Sequence, residues 1–154
     1  MSLHGRLLHA ALPLVKLRTR LRGLTLGVCA GLFDGQGRVM LVRHSYSPGW
    51  RFPGGGAEFG ETVQAALSRE LREEVGVTLD EPPVLKGLFH NPEWTAGDHV
   101  AYFEAGGWSS SGWAPSLEIE ACETFDPHDL PDDVHPSVVR RLRERTTGDV
   151  SQLW

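Results

Sequence analysis

Three observations predict a single α/β domain: short apolar runs punctuated by Gly, Pro, Asn and Asp, one stretch with apolar residues at every fourth position, and a second helical stretch opening at Pro136. With 154 residues and 40% hydrophobic content, the chain has the material for one packed core. No internal repeat or low-complexity tract divides it.

The elements follow in order. Leu14, Leu17, Leu21 and Leu24 recur at helical spacing, with Lys16, Arg18, Arg20 and Arg22 between them and no acidic residue before Asp34. Residues 1–23 therefore predict a basic amphipathic arm, packed on its own domain or on a symmetry mate. Docking on an anionic membrane surface is the alternative. Apolar residues 26–33 and 39–42 flank Asp34-Gly35-Gln36-Gly37, which predicts a β-hairpin. Residues 47–56, with Ser47-Pro48-Gly49, Trp50-Arg51-Phe52-Pro53 and Gly54-Gly55-Gly56, read as a loop that permits unusual backbone angles.

From Thr62, a natural N-cap, the apolar positions Val63, Leu67, Leu71 and Val75 predict a helix that Gly76 stops. Residues 84–90 and 100–104 predict further strands, and residues 91–99 between them a candidate binding loop. Residues 106–115, rich in Gly, Ser and Trp, predict a mobile surface connection, after which residues 117–125 resume the sheet. Pro136 opens the last helix, with Val138, Val139 and Leu142 on one face and Gly148 as its stop. Residues 24–147 are then the domain proper and residues 148–154 a C-terminal tail.

Composition excludes several classes. A net charge of −5 argues against a binder of duplex nucleic acid, which needs a basic surface. Cys29 and Cys122 are too few and too far apart for a disulfide framework or a cysteine zinc site, so a reducing, cytoplasmic setting is expected. The apolar run at residues 7–15 is interrupted by Pro13 and followed by Lys16-Leu17-Arg18-Thr19-Arg20, which suits neither a signal peptide nor a membrane span.

The chemistry is concentrated in residues 55–77. At 100° per residue, Glu70, Glu73 and Glu74 fall within an arc of about 100° on one helix face. Like charges at this spacing repel one another. A hard divalent cation with oxygen ligands would offset that repulsion, and Mg²⁺ favours a few carboxylates together with substrate phosphates. Gly54, Gly55 and Gly56 let backbone groups approach a phosphate or a metal without a Cβ in the way. Glu61 lies at the helix start, where its charge suits the dipole. Arg69, four residues before Glu73, is placed for a supporting ion pair.

Gly55, Glu61, Arg69, Glu70, Leu71, Glu73, Glu74, Gly76 and Val77 together resemble the Nudix box at every specified position. Chance would produce such a match with probability on the order of 10⁻⁷, so coincidence is set aside. The likeness extends over residues 24–142. It implies an α/β/α sandwich with a mixed β-sheet and hydrolysis of a nucleoside diphosphate linked to another moiety, such as a nucleoside triphosphate or ADP-ribose. It also implies that Glu70 and Glu74 are the principal metal ligands, with Glu73 and the Gly54 carbonyl as further ones. Gly55, Glu61, Arg69 and Gly76 then support the box. The implied cofactor is Mg²⁺, with Mn²⁺ as a substitute.

Family members often recruit one more loop glutamate, and Glu118 stands where it is expected, with Glu93, Glu120 and Glu123 as rivals. The general base is then Glu70, or Glu118 acting from beyond the metal. Substrate choice falls outside the box. Trp50, Arg51, Phe52 and His90 are candidate substrate contacts, and Phe89, Trp94 and Trp108 are further aromatic surfaces, although aromatics are more often core. His44 and His99 are default structural histidines that could also meet phosphates. Pro92, fifteen residues after Val77, resembles a spacing in ADP-ribose-cleaving relatives. The expected partner is a small-molecule nucleotide, and the arm and the exposed sheet edges make a homodimer a reasonable expectation. A catalytically silent, nucleotide-sensing module is the alternative, but such modules usually lose box glutamates.

Overall fold

Strict alternation along three strands sorts the apolar side chains onto the two faces of one sheet. Val28, Ala30 and Leu32 pack on one side while Cys29 and Phe33 pack on the other. Met40 and Val42 likewise oppose Val39 and Leu41, and Ala101 and Phe103 oppose Val100 and Tyr102. A strand buried on both faces needs a covering layer on each. The computed structural model, which describes residues 23–154, supplies two helices for this purpose. The predicted arm lies outside the described residues except for Gly23.

The elements are β1 (Thr25–Phe33), β2 (Val39–His44), β3 (Trp50–Arg51), β4 (Gly54–Gly56), α1 (Val63–Val75), β5 (Val77–Leu79), β6 (Val84–His90), β7 (Asp98–Ala105), β8 (Trp108–Ser110), β9 (Ile119–Phe125) and α2 (Pro136–Thr147). Seven strands form one sheet in the order β3-β2-β1-β7-β6, with β4 added to β1 and β9 to β2. β1 and β7 run parallel from Thr25↔Asp98 to Leu32↔Ala105, and the other pairings are antiparallel, so the sheet is mixed. Ala66, Leu67, Leu71 and Val75 of α1 cover one face, and Val138 and Leu142 of α2 the other. The expected α/β/α sandwich is therefore the architecture found.

α1 begins and ends for the reasons its sequence supplies. Thr62 accepts a hydrogen bond from Ala65 N, satisfying one of the free amides of the first turn. Gly76, at φ 65°, donates its N–H to the carbonyls of Leu71 and Arg72. A Cβ at Gly76 would also meet the Gly112 carbonyl oxygen at 2.5 Å, so conformation and packing both demand glycine. At the β1–β2 turn, Asp34 Oδ1 accepts from the amides of Gln36 and Arg38, closing the predicted hairpin.

Three expectations are corrected. The stretch at residues 47–56 is not all loop: Trp50–Arg51 pairs with β2 and Gly54–Gly56 with β1. Residues 106–115 are not a free connection, because Trp108–Ser110 pairs with β5 and Trp108 Nε1 donates to Phe33 O at 3.1 Å. Val139 is 46% exposed, and the buried face of α2 consists of Ser137, Val138, Arg141 and Leu142.

Residues 148–154 fold back onto the edge of β6. His90 N donates to Gln152 O and Trp154 N to His90 O, at 3.0 and 2.8 Å. The Trp154 ring packs against Phe52, Phe89 and Tyr102. Beneath it, the buried Arg141 guanidinium lies 3.6 Å over the Phe89 ring and donates to Leu153 O. Among the described residues, no helix is long and apolar enough to cross a membrane.

Candidate active site

The helical spacing of the glutamates brings their carboxylates together over β4, and each has a different environment. Arg69 organises the group. Its Nε and Nη2 donate to Glu61 Oε1 and Oε2, both at 2.9 Å, its Nη1 donates to Glu70 Oε1 at 2.8 Å, and Nη2 also reaches Gly56 O at 3.0 Å. The expected ion pair with Glu73 is present but long, at 3.5 Å, so the principal partner of Arg69 is Glu61 rather than Glu73. This two-pronged contact, together with the Glu58 amide, holds the Glu61 carboxyl down at about pKa 2.

Glu70 lies against the glycine strand. A Cβ on Gly55 would fall 2.5–2.6 Å from the Glu70 carboxylate atoms, so only glycine leaves room for this group. Burial raises the Glu70 pKa, against the lowering effect of Arg69. Glu73 is open, with 61% of its side chain exposed.

Glu74 is buried and fully engaged. Oε1 accepts from His44 Nε2 at 3.0 Å, and Oε2 accepts from the Gly54 amide at 2.7 Å. His44 arrives from the end of β2 and Gly54 from the start of β4, so Glu74 ties the helix to two strands. Gly54 has φ 145°, and a Cβ there would meet Val28 O at 2.1 Å. Among the described residues, no three His, Cys, Asp or Glu side chains converge as a closed metal cage. The donor set nevertheless fits a hard divalent cation, because Glu70 Oε2 and the Glu73 carboxylate retain free oxygen lone pairs beside a strand without side chains.

Tyr46, two residues beyond His44, packs against its ring at a tilt of 50° with centroids 5.1 Å apart. Burial drives the Tyr46 pKa up, reinforced by Glu74 and Glu118 and countered by Arg51. The charge of Glu118 thus acts on the same tyrosine as that of Glu74. The Glu118 side chain is exposed, and its carbonyl accepts from Ser45 N at 2.8 Å.

The candidate substrate contacts divide. Trp50 and Phe52 are 6% and 4% exposed and belong to the core under α2, where Trp50 meets the edge of Phe125 and Phe52 meets Tyr102. They are not presented for stacking. Phe89 is buried as well, and Trp108 packs on the α1-side core. His90 bonds Ala96 O and lies 5.3 Å from the His99 ring, which ties it to the 91–98 loop and not to the glutamates. Arg51, between Trp50 and Phe52, faces the opposite way. The role of His44 toward Glu74 and the presence of Tyr46 were not foreseen. The alternation Val42, His44, Tyr46 was the available signal, because it continues one face of β2 past the end of the strand.

A mixed sheet between two helices, with an acidic loop-helix unit packed over its glycine strand, defines a domain of the Nudix type. Comparison with known proteins agrees, since the family model of the NUDIX domain matches residues 23–145. The chain belongs to the Nudix hydrolase family. Among curated relatives, it is 40% identical over 74 residues to an RNA pyrophosphohydrolase of Dinoroseobacter shibae, covering 46% of this chain and 44% of that one. It is 48% identical over 46 residues to an RNA pyrophosphohydrolase of Acinetobacter baylyi, covering 30% and 28%. The chain thus spans less than half the length of these relatives in the matched region. Among solved structures, a MutT NUDIX hydrolase from Burkholderia pseudomallei superposes with a TM-score of 0.70 at 23% identity, covering 79% of this chain and 98% of that one. An ADP-ribose pyrophosphatase from Streptococcus suis superposes with a TM-score of 0.61 at 18% identity, covering 82% and 96%. At these identities the likeness establishes the fold alone.

Proposed function

We propose that the chain is a divalent-metal-dependent pyrophosphohydrolase that cleaves the diphosphate bridge of a nucleoside diphosphate linked to another moiety. The observation that carries this reading is the Glu70 carboxylate, seated against Gly55 where no Cβ intervenes and flanked by Glu73 and Glu74. Glu70, Glu73, Glu74 and the Gly54 carbonyl would hold Mg²⁺ or Mn²⁺, which supplies charge neutralisation for the nonbridging oxygens and the leaving phosphate. The protein groups have their own tasks. Arg69 and Glu61 fix the start of the helix against the glycine strand, and His44 fixes the carboxylate plane of Glu74. Glu70, or Glu118 from across the site, removes the proton of the attacking water.

The 5′-triphosphate end of an RNA or nucleotide is the favoured substrate, by analogy with the RNA pyrophosphohydrolases, and ADP-ribose is the competitor. The cytoplasm is the compartment this reading fits. A silent sensor is disfavoured because Glu61, Glu70, Glu73 and Glu74 are all retained. Mg²⁺-dependent product formation should be measured on a panel: phosphate or pyrophosphate from nucleoside triphosphates and triphosphorylated RNA, and a nucleotide product from dinucleoside polyphosphates and ADP-ribose. Turnover of at least one member is expected. Saturable nucleotide binding without any turnover would transfer the case to the sensor.

A further inference from the structure

Arg51 stands on β3 opposite Val42. Directly opposed residues of an antiparallel pair project to the same side of a sheet, and Val42 belongs to the core beneath α1. Arg51 therefore projects toward the face that carries the glutamate helix. His44, two residues along from Val42, is on that face too and already holds Glu74.

The state of this guanidinium is unusual. The side chain is half-buried, and its Nε is buried with no hydrogen-bond partner. Among the described residues it makes no ion pair and no side-chain hydrogen bond. Two other arginines of the domain are committed, Arg69 to Glu61 and Glu70, and Arg43 to Asp133. The carboxylate in its field is that of Glu93, which is largely exposed and makes no ion pair with it, so the buried Nε lacks a partner that a bound anion would supply.

Two more donors border it. Tyr46 lies in the joint field of Arg51 and the box glutamates. His135 is anchored beside β3 by its amide, which donates to Trp50 O at 2.9 Å. Its Nδ1 accepts from the Ser137 amide, which leaves the ring proton on Nε2, 3.9 Å from the largely exposed Glu93 carboxylate. Burial and the nearby Arg51 hold the His135 pKa down at about 4, so the ring stays a neutral donor. A phosphoryl group accepts only, which suits a set whose three members can all donate.

We propose that Arg51, with the Tyr46 hydroxyl and His135 Nε2–H, forms a phosphate subsite beside the box glutamates, so that the preferred substrate carries a third phosphoryl group. This rests on the hydrolase reading above and narrows it to 5′-triphosphates over ADP-ribose.

The test compares kcat/KM for a nucleoside triphosphate and the diphosphate of the same base, in the wild type, Arg51→Gln and Arg51→Lys. The wild type should prefer the triphosphate. Arg51→Gln should erase about tenfold of that preference through KM, and Arg51→Lys, which keeps the charge but loses the fork, should recover part of it. A preference unchanged in both variants overturns the subsite. Calorimetric binding of inorganic tripolyphosphate in metal-free buffer provides a readout independent of turnover. Weakening of about tenfold in Arg51→Gln at an unchanged unfolding midpoint supports the subsite. Equal affinity in the variant overturns it. A wild type that turns over nothing overturns the hydrolase reading alone, and the tripolyphosphate titration still decides the role of Arg51.

Discussion

His44 donates from Nε2 to Oε1 of Glu74 across 3.0 Å, with only 7% and 8% of the two side chains exposed. Because the other oxygen of Glu74 accepts from the Gly54 amide, one carboxylate joins β2, β4 and α1 at the site. The residue expected to bind metal is thus also a structural tie.

Glu74→Gln tests both roles together. The amide presents one donor where the carboxylate had two acceptors, so either His44 shifts to the tautomer that accepts at Nε2 or one of the two hydrogen bonds is lost at a cost of roughly 1–3 kcal/mol. Turnover should fall by about a hundredfold or more, and thermal unfolding should shift down by several degrees. Near-normal kcat would remove Glu74 from the metal assignment.

Glu70→Gln should behave in the opposite sense for stability. Burial raises the Glu70 pKa, so its contribution is favourable at low pH and is lost as pH rises through the folded value. At neutral pH without metal, the variant should unfold at or above the wild-type midpoint while losing activity. Millimolar Mg²⁺ should then stabilise the wild type, by about 2.7 kcal/mol at a hundred times Kd, and leave the variant nearly unchanged. Equal stabilisation of both proteins would show that Glu70 is not a ligand.

Gly54 and Gly55, at the entry to the box, should separate function from folding. In Gly55→Ala the clash is with the movable Glu70 carboxylate, so folded protein with sharply reduced kcat is expected. In Gly54→Ala the clash is with backbone, at a positive φ, and little soluble protein should form. Circular dichroism and expression yield check the pair, and equal behaviour of the two variants would contradict the stated geometry.

Acid titration should reveal the Glu61–Arg69 contact. The folded pKa of Glu61 is depressed to about 2 from an ordinary value near 4.5, so its contribution is present above 4.5 and is lost as pH falls toward 2. In Arg69→Gln the decline in unfolding midpoint across that window should be shallower than in the wild type. Parallel declines would mean that the contact does not persist in solution.

The box was readable from sequence because its information is local. Helical period places Glu70, Glu73 and Glu74 on one face, and Thr62 and Gly76 mark the helix ends by chemistry confined to one turn. What escaped depends on distant chain. Gly54–Gly56 has poor intrinsic strand preference and becomes a strand only because β1 pairs with it, and Trp108–Ser110 likewise needs β5. His44 meets Glu74 across thirty residues, which no local pattern encodes. Trp50 and Phe52 were candidate substrate contacts, with the core as the commoner place for aromatics, and the core is where they lie. Their period-two spacing pointed to a shared buried face, with Arg51 on the other.

The parallel pairing of β1 with β7 has a bearing on how the molecule is made. Thr25 and Asp98 are partners separated by 73 positions, and the whole glutamate helix lies within the loop that their union closes. Closing so long a loop costs entropy before any of the eight register pairs can repay it. During synthesis, the hairpin and α1 leave the ribosome long before β7 does. The contacts that hold the carboxylates, from His44, Gly54 and Arg69, all lie before β7 in the chain, so the late strand adds the other half of the sheet to a site whose own partners have already been made.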